Sequence, residues 1–119
     1  PRGYLLEQAH VDASQYYTIA CRHTTPEQLL EELCLAVDQG AVVVDVIVEH
    51  PVYGQITGQL EVRSRYDAER FAQALARSSS APLSLLTGGI HLHTLRCPDR
   101  DCFDRVCAAL RRAGILVDE

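Results

Sequence analysis

Apolar and polar side chains follow one another in patterns that predict a β-sheet. Residues 15–21 are rich in Tyr, Thr and Ile, and residues 55–62 alternate clearly between apolar and polar positions. Residues 41–49 are β-branched and apolar on both faces apart from two carboxylates, so this strand is predicted to be central. Residues 82–95 combine a turn, a glycine pair and a His-x-His strand, and residues 115–117 close the chain as a short strand.

Apolar residues that recur every three or four positions predict three helices between these strands. The first begins after Thr25, a good N-cap, and ends at Gly40. The second is entered at residues 64–67 and extends to about residue 77, and the third begins at residues 98–99. This order predicts an α+β fold: a largely antiparallel sheet with helices on one face. It contains the ferredoxin-like split β-α-β pattern, with an extra helix and strand.

Two adjacent carboxylates in the first predicted helix face different directions. At about 100° per residue, Glu31 lies opposite the apolar stripe that begins at Leu29, whereas Glu32 lies on the border of that stripe. Glu32 is therefore predicted to face a site, and Glu31 to face water.

Two histidines share one face of the His-x-His strand, because successive side chains of a strand alternate. His91 and His93 project together, about 6.6 Å apart at their bases, which two imidazoles can close over one ion. Ile90 and Leu92 are predicted to form the core face. Cys97 has the parity of the histidines but lies about 13 Å beyond His93, so it is a poor candidate ligand. The alternative is that both histidines lie on a solvated strand face.

His23, at the end of the first strand, completes a set of candidate metal ligands with Glu32, His91 and His93. Three neutral imidazoles and a carboxylate are suitable ligands for Zn, Ni, Fe or Co. Spacing alone leaves their convergence open, because nothing in the sequence fixes the distance between His23 and the later strand.

Four further positions could line a small-molecule site. His50 precedes a proline in a predicted turn and is also typical of a hydrogen-bonded structural histidine, while Tyr53 could line a pocket or cap the core. Gly88 and Gly89 could let backbone amides approach an anion, although a glycine pair also marks an ordinary turn. The cysteines are predicted to be small buried hydrophobic residues without a function: Cys21, Cys34, Cys97, Cys102 and Cys107.

Composition narrows the class of protein. A chain of 119 residues suffices for one hydrophobic core. Its net charge of -5 argues against a DNA duplex bound by this domain, because affinity for DNA is built largely from Lys and Arg at phosphates. Five cysteines without a C-x-x-C pair or a signal peptide indicate a reducing compartment, the cytoplasm. The longest strongly apolar run, residues 41–48, is too short to cross a membrane.

Three motifs stand out in the sequence: Glu-His-Pro-Val-Tyr-Gly at residues 49–54, Pro-Leu-Ser at 82–84 and Thr-Gly-Gly-Ile-His-Leu-His-Thr at 87–94. Together they resemble the three-histidine domain of bacterial nicotinate-responsive repressors. The resemblance extends from His23 to residues 114–116, which is most of the chain. It implies a metal-binding regulatory domain that follows a winged helix-turn-helix domain in a repressor of NAD biosynthesis or niacin salvage genes.

The resemblance also implies the ligands and the partners. The metal ligands of this chain would be His23, Glu32, His91 and His93, and they would hold a divalent ion of nickel, zinc or iron. Its effector would be nicotinate, and a repressor of this kind is expected to be a homodimer. We expect nicotinate to dock through its carboxylate at or beside the metal, with these residues around it: His50, Tyr53, Thr87, Gly88 and Gly89.

The resemblance further divides the chain into residues 1–14, the remnant of a wing and a linker, and residues 15–119, the regulatory domain. Two other functions compete with a sensor. A small metal-dependent hydrolase would need a general base beside the metal, for which Asp45 and Glu49 are the candidates. A structural dimerisation domain would bind no metal. Motifs of nucleotide-binding proteins, hydrolases and metalloproteases are absent from the sequence, so we expect no enzyme.

Overall fold

Four antiparallel strands form one sheet in the computed structural model, which describes residues 14–23, 25–78 and 89–117. The strands are β1 (Gln15–Arg22), β2 (Val42–His50), β3 (Gly54–Val62) and β4 (Ile90–Cys97), and their order across the sheet is β1-β4-β2-β3. Each pair of neighbours is antiparallel. The sheet therefore has β4 and β2 in its centre, which confirms the prediction for the β-branched strand.

Strand β4 lies between β1 and β2, so an antiparallel strand splits the first β-α-β unit. The closer likeness to ferredoxin-like folds stays a prediction. The chain end adds a short antiparallel pairing outside β1: the Arg22 N–H donates to the Ile115 carbonyl at 2.8 Å, and the Val117 N–H donates to the Ala20 carbonyl at 2.9 Å. The predicted closing strand is thus one bridge long.

Within the described residues, three helices of thirteen residues pack together on the sheet: α1 (Pro26–Asp38), α2 (Arg65–Arg77) and α3 (Arg100–Arg112). Helix α1 contacts both of the others and β2, so the three form one layer. Each begins after a side chain that accepts a hydrogen bond from a backbone N–H of the first turn; these caps are Thr25, Ser64 and Asp99. The α+β class is confirmed. No helix within the described ranges is long and apolar enough to span a membrane.

The core lies between this helical layer and one face of the sheet. Its fully buried side chains come from every layer, among them Cys21, Leu33, Val43, Leu95, Val106, Leu110 and Ile115. Four of the five cysteines are buried and the fifth is half-buried, and all are free thiols. This agrees with their interpretation as small hydrophobic residues, with one exception described below.

The predicted core face of β4 is wrong. The buried side chains are His91, His93, Leu95 and Cys97, whereas Ile90 on the opposite face is 38% exposed. We predicted that the aliphatic side chains form the core face and that the histidines project together from the opposite face. Histidine can take a core position when its ring nitrogens find partners there, and here a buried carboxylate and backbone carbonyls provide them.

Candidate metal centre

Three elements bring the four candidate ligands to one end of the sheet. His23 follows the last residue of β1, Glu32 lies in the middle of α1, and His91 and His93 lie near the beginning of β4. All four side chains are buried, with exposures of 5% or less, whereas Glu31 is exposed. The burial of Glu32 and the exposure of Glu31 therefore agree with the directions predicted for these two side chains.

The antiparallel register of β1 and β4 explains why His23 comes close to the later histidines. Cys21 pairs with His91 across these strands, so the end of β1 lies beside the beginning of β4. The backbone N–H of His23 donates to the carbonyl of Gly89 at 3.3 Å, just before β4 begins. Long-range strand pairing thus supplies the proximity that spacing in the sequence could not.

All three imidazoles contact the single carboxylate of Glu32. His23 Nδ1 lies 3.0 Å from Oε1, and His91 Nε2 lies 2.7 Å from Oε2. His93 Nε2 also contacts Oε2. The rings of His23 and His93 each meet that of His91 edge to face, with centroids 4.6 and 4.8 Å apart. Three nitrogen atoms and two oxygen atoms therefore converge in a small buried volume.

Backbone carbonyls orient the two histidines of β4. The Nδ1–H of His91 donates to the Gly89 carbonyl at 2.9 Å, and the Nδ1–H of His93 donates to the Asp45 carbonyl at 2.7 Å. A carbonyl oxygen only accepts, so both Nδ1 atoms carry protons, and both Nε2 atoms are directed at Glu32. A register shift in β2 between Val43 and Ile47 accompanies the Asp45 contact, and the Asp45 carboxylate accepts from the Thr94 N–H at 3.0 Å.

The convergence of acceptors determines what the cluster can hold. A carboxylate oxygen only accepts, so each nitrogen that contacts Glu32 must bring a proton or share a cation with it. Burial opposes ionisation of Glu32, but hydrogen bonds from His23, His91 and His93 hold the pKa of its carboxyl well below the usual range. Burial likewise disfavours the charged form of His93, yet its contact with Glu32 raises the pKa of that imidazole. The cluster therefore favours positive charge beside the carboxylate.

Cys21 also belongs to this cluster, and the sequence interpretation missed it. One ligand atom each from Cys21, Glu32 and His91 lie within 4.8 Å of one another, and all three residues are buried. These residues form a group that can hold a metal ion. Burial raises the pKa of the Cys21 thiol, and the nearby Glu32 and Cys107 raise it further. The sequence did contain a signal for Cys21. It lies two residues before His23, so both side chains project from the same face of the chain at the end of β1.

The residues predicted to bind nicotinate have different positions. His50 ends β2, and its Nδ1 accepts the backbone N–H groups of Val52 and Tyr53 at 3.1 and 3.2 Å, so it holds the hairpin turn. Tyr53 is 77% exposed and its ring lies 5.0 Å from that of His50. Gly89 has a φ of 95°, which glycine adopts readily, and it presents its carbonyl to His91. Thr87 and Gly88 lie outside the described residues.

The two candidate general bases have different positions. Glu49 is exposed, whereas the metal group is buried. Asp45 lies beside the group, since its backbone carbonyl contacts His93, but its carboxylate already accepts the backbone N–H of Thr94.

Comparison with known proteins identifies the family. The 3H domain matches residues 16–119, which include all four candidate ligands. Over 119 residues the chain is 40% identical to a Thermotoga maritima protein named "Probable transcription repressor NiaR", of which it covers 66%. Over 112 residues, or 94% of the chain, it is 45% identical to "Transcription repressor NadR" of Bacillus subtilis, of which it covers 61%. It thus spans less than two thirds of either relative. The chain belongs to the 3H domain family.

Proposed function

We propose that this chain is the effector-binding domain of a bacterial transcription repressor, and that it binds nicotinate at a divalent transition metal. The metal ligands are His23, Glu32, His91 and His93. The similarity to two proteins named as transcription repressors supports the regulatory role. Neither name describes an enzyme, which supports a binding module over a hydrolase.

One observation carries the metal site: three imidazole nitrogens converge on one buried carboxylate. With neutral imidazoles, the Nε2 lone pairs of His91 and His93 face those of Glu32 and repel them unless a cation lies between. A neutral His23 can instead donate its Nδ1–H to Glu32. With protonated imidazoles, the protons supply that positive charge. A divalent ion satisfies the same acceptors in place of protons, and the imidazole and carboxylate donors suit zinc, nickel or iron.

The backbone carbonyls described above support the same assignment. Ligating histidines usually donate their second ring N–H to a carboxylate, a carbonyl or water, which fixes the tautomer and the ring. His91 and His93 both do so, at Gly89 and at Asp45. Their Nε2 atoms are therefore oriented for ligation before any metal binds.

The metal supplies the positive charge that an anionic effector needs. With a net charge of -5 the chain attracts a carboxylate poorly at long range, so a local cation has to provide the attraction. We propose that the nicotinate carboxylate binds at or beside the metal, with Thr87, Gly88 and Gly89 near it. His50 and Tyr53, at the hairpin turn that ends β2, line the pyridine ring in this proposal.

The remaining parts of the proposal concern the whole repressor. Residues 15–119 form the regulatory domain in it, and residues 1–14 link it to a separate DNA-binding module, because this acidic domain is unsuited to binding a duplex. The functional unit is a homodimer, since two-fold operators match two-fold repressors. The five free thiols favour the cytoplasm.

Calorimetry on metal-loaded and chelator-stripped protein tests this function. We expect nicotinate to bind the loaded protein, to bind the stripped protein at least tenfold more weakly, and to outcompete nicotinamide, which lacks the anion. Equal affinity of nicotinate for both forms would separate the effector from the metal. Equal affinity for nicotinamide would show that the carboxylate is not recognised.

A mutant in which both His91 and His93 are replaced by Ala should lose stoichiometric metal after dialysis.

A further inference from the structure

We infer that the Cys21 thiolate is a fifth protein ligand, so that the proposed metal site has a mixed sulfur, nitrogen and oxygen donor set. This inference rests on the proposed function, because it needs a metal at the Glu32 and histidine cluster. Its consequence is selectivity: the site favours thiophilic divalent ions such as zinc, cobalt and nickel over manganese and magnesium.

The position of Cys21 supports ligation. Two ligands on opposite sides of one zinc ion lie at most about 4.4 Å apart, since Zn–S and Zn–N bonds are about 2.3 and 2.1 Å long. The ligand atoms of Cys21, Glu32 and His91 lie within 4.8 Å of one another. Three atoms cannot all lie opposite one another, so binding one ion also requires these side chains to move closer together.

The strand pairing holds Cys21 in this position. Cys21 pairs directly with His91 across β1 and β4, its side chain is 0% exposed, and Leu116 bridges it on the other side. The thiol is therefore fixed by two backbone pairings beside one ligand and precedes another, His23, by two residues. The sulfur atom of Cys21 is thereby held beside the ligand atoms of Glu32 and His91.

Charge neutrality supplies a second, independent argument. A divalent ion held by three neutral imidazoles and one carboxylate has a net charge of +1, and this charge would be buried with residues that are at most 5% exposed. Burying an uncompensated charge is costly. A Cys21 thiolate reduces the net charge to zero. The thiol proton leaves to solvent as the metal binds, which is the usual course for cysteine ligation.

The charge argument applies to the effector-free site. Five protein ligands leave one place on an octahedral ion, which water fills in that state. Thiolate ligation also explains why a cysteine occupies this position, since the other buried cysteines of the core make no such group among the described residues.

Cobalt substitution in the otherwise unmodified protein tests the inference. A Co²⁺–thiolate bond produces a charge-transfer absorption in the near ultraviolet that nitrogen and oxygen ligands do not. We expect this band in the Co²⁺-loaded protein, and we expect its loss in Cys21→Ala with one Co²⁺ still bound. Cys34→Ala, which removes another buried thiol, is the matched control and should keep the band. Cys21→Ala should also weaken zinc binding at least tenfold and manganese binding less than threefold.

Zinc-edge X-ray absorption of the wild-type protein gives an answer even if Cys21→Ala does not fold. The inference predicts one sulfur neighbour at about 2.3 Å among nitrogen and oxygen neighbours. One bound zinc with nitrogen and oxygen neighbours alone, or a Co²⁺-loaded wild-type protein without the band, would overturn the role of Cys21 but leave the four-ligand site intact. Failure of the wild-type protein to bind one metal per chain would instead overturn the proposed function.

Discussion

Replacing Glu32 with Gln removes the one charge around which the three imidazoles are arranged. Glutamine keeps the shape of the side chain and one carbonyl acceptor, so the variant isolates the effect of the charge. Hydrogen bonds to a charged group contribute about 1.5–3 kcal/mol each. Three such bonds converge on Glu32, but they share two oxygen atoms and their contributions do not add.

We therefore expect Glu32→Gln to lower the unfolding free energy of the chelator-stripped protein by about 3 kcal/mol. This matches the range of about 3–5 kcal/mol for breaking a buried ion pair. It is a large part of the total, because domains of this size are stable by only about 5–15 kcal/mol. Glu31→Gln is the matched control: it is the same substitution one residue earlier in α1, at an exposed side chain. We expect a change within about 0.5 kcal/mol for this control.

Urea denaturation followed by circular dichroism measures both changes, with and without metal. A ligand at about 1,000 times its dissociation constant stabilises a protein by about 4 kcal/mol. Wild type and Glu31→Gln should gain this stabilisation when metal is added, and Glu32→Gln should gain much less. Equal urea midpoints for the two variants would show that the negative charge of Glu32 does not stabilise the fold.

Three further predictions concern pH, the register shift in β2 and assembly. In chelator, stability should be highest between pH 4.5 and 6.5, the ordinary pKa values of Glu and His. It falls above this window as pH rises through the raised pKa of His93, and below it as pH falls through the lowered pKa of Glu32. An equal urea midpoint at pH 5.5 and pH 8 would contradict this. Asp45→Ala removes the acceptor of the Thr94 N–H and should lower the unfolding free energy in urea denaturation by about 1–3 kcal/mol. Asp45→Asn keeps one side-chain oxygen and should lie close to wild type. Sedimentation should show a dimer at micromolar concentration, whereas a monomer at high micromolar concentration would show that this domain does not dimerise by itself.

Local patterns in the sequence sufficed for the elements of this fold. The Thr25 cap predicted the start of α1, and the β-branched run predicted a central β2. The helical position of Glu32 predicted its direction, because a helix fixes the angle between neighbouring side chains. These features depend on residues that are close in the sequence, and propensity and periodicity describe such residues well.

Contacts between residues far apart in the sequence determined the buried face of β4 and the neighbours of Cys21. The interpretation of β4 placed Ile90 and Leu92 in the core, because aliphatic side chains are the usual core residues. Their burial depended instead on which face of β4 met α1, where Glu32 provides partners for the histidines. Cys21 was missed for the same reason: its neighbour His91 is remote in the sequence, and only the register of β1 and β4 brings the two together.

Anomalous diffraction from crystals of the metal-loaded protein locates the bound metal directly. We expect one peak per chain at an absorption edge of that metal. His23 Nδ1, a carboxylate oxygen of Glu32, and the Nε2 atoms of His91 and His93 should surround this peak at about 2.0–2.2 Å. A metal-saturated crystal with its peak at any other place, or with no peak, would contradict the account.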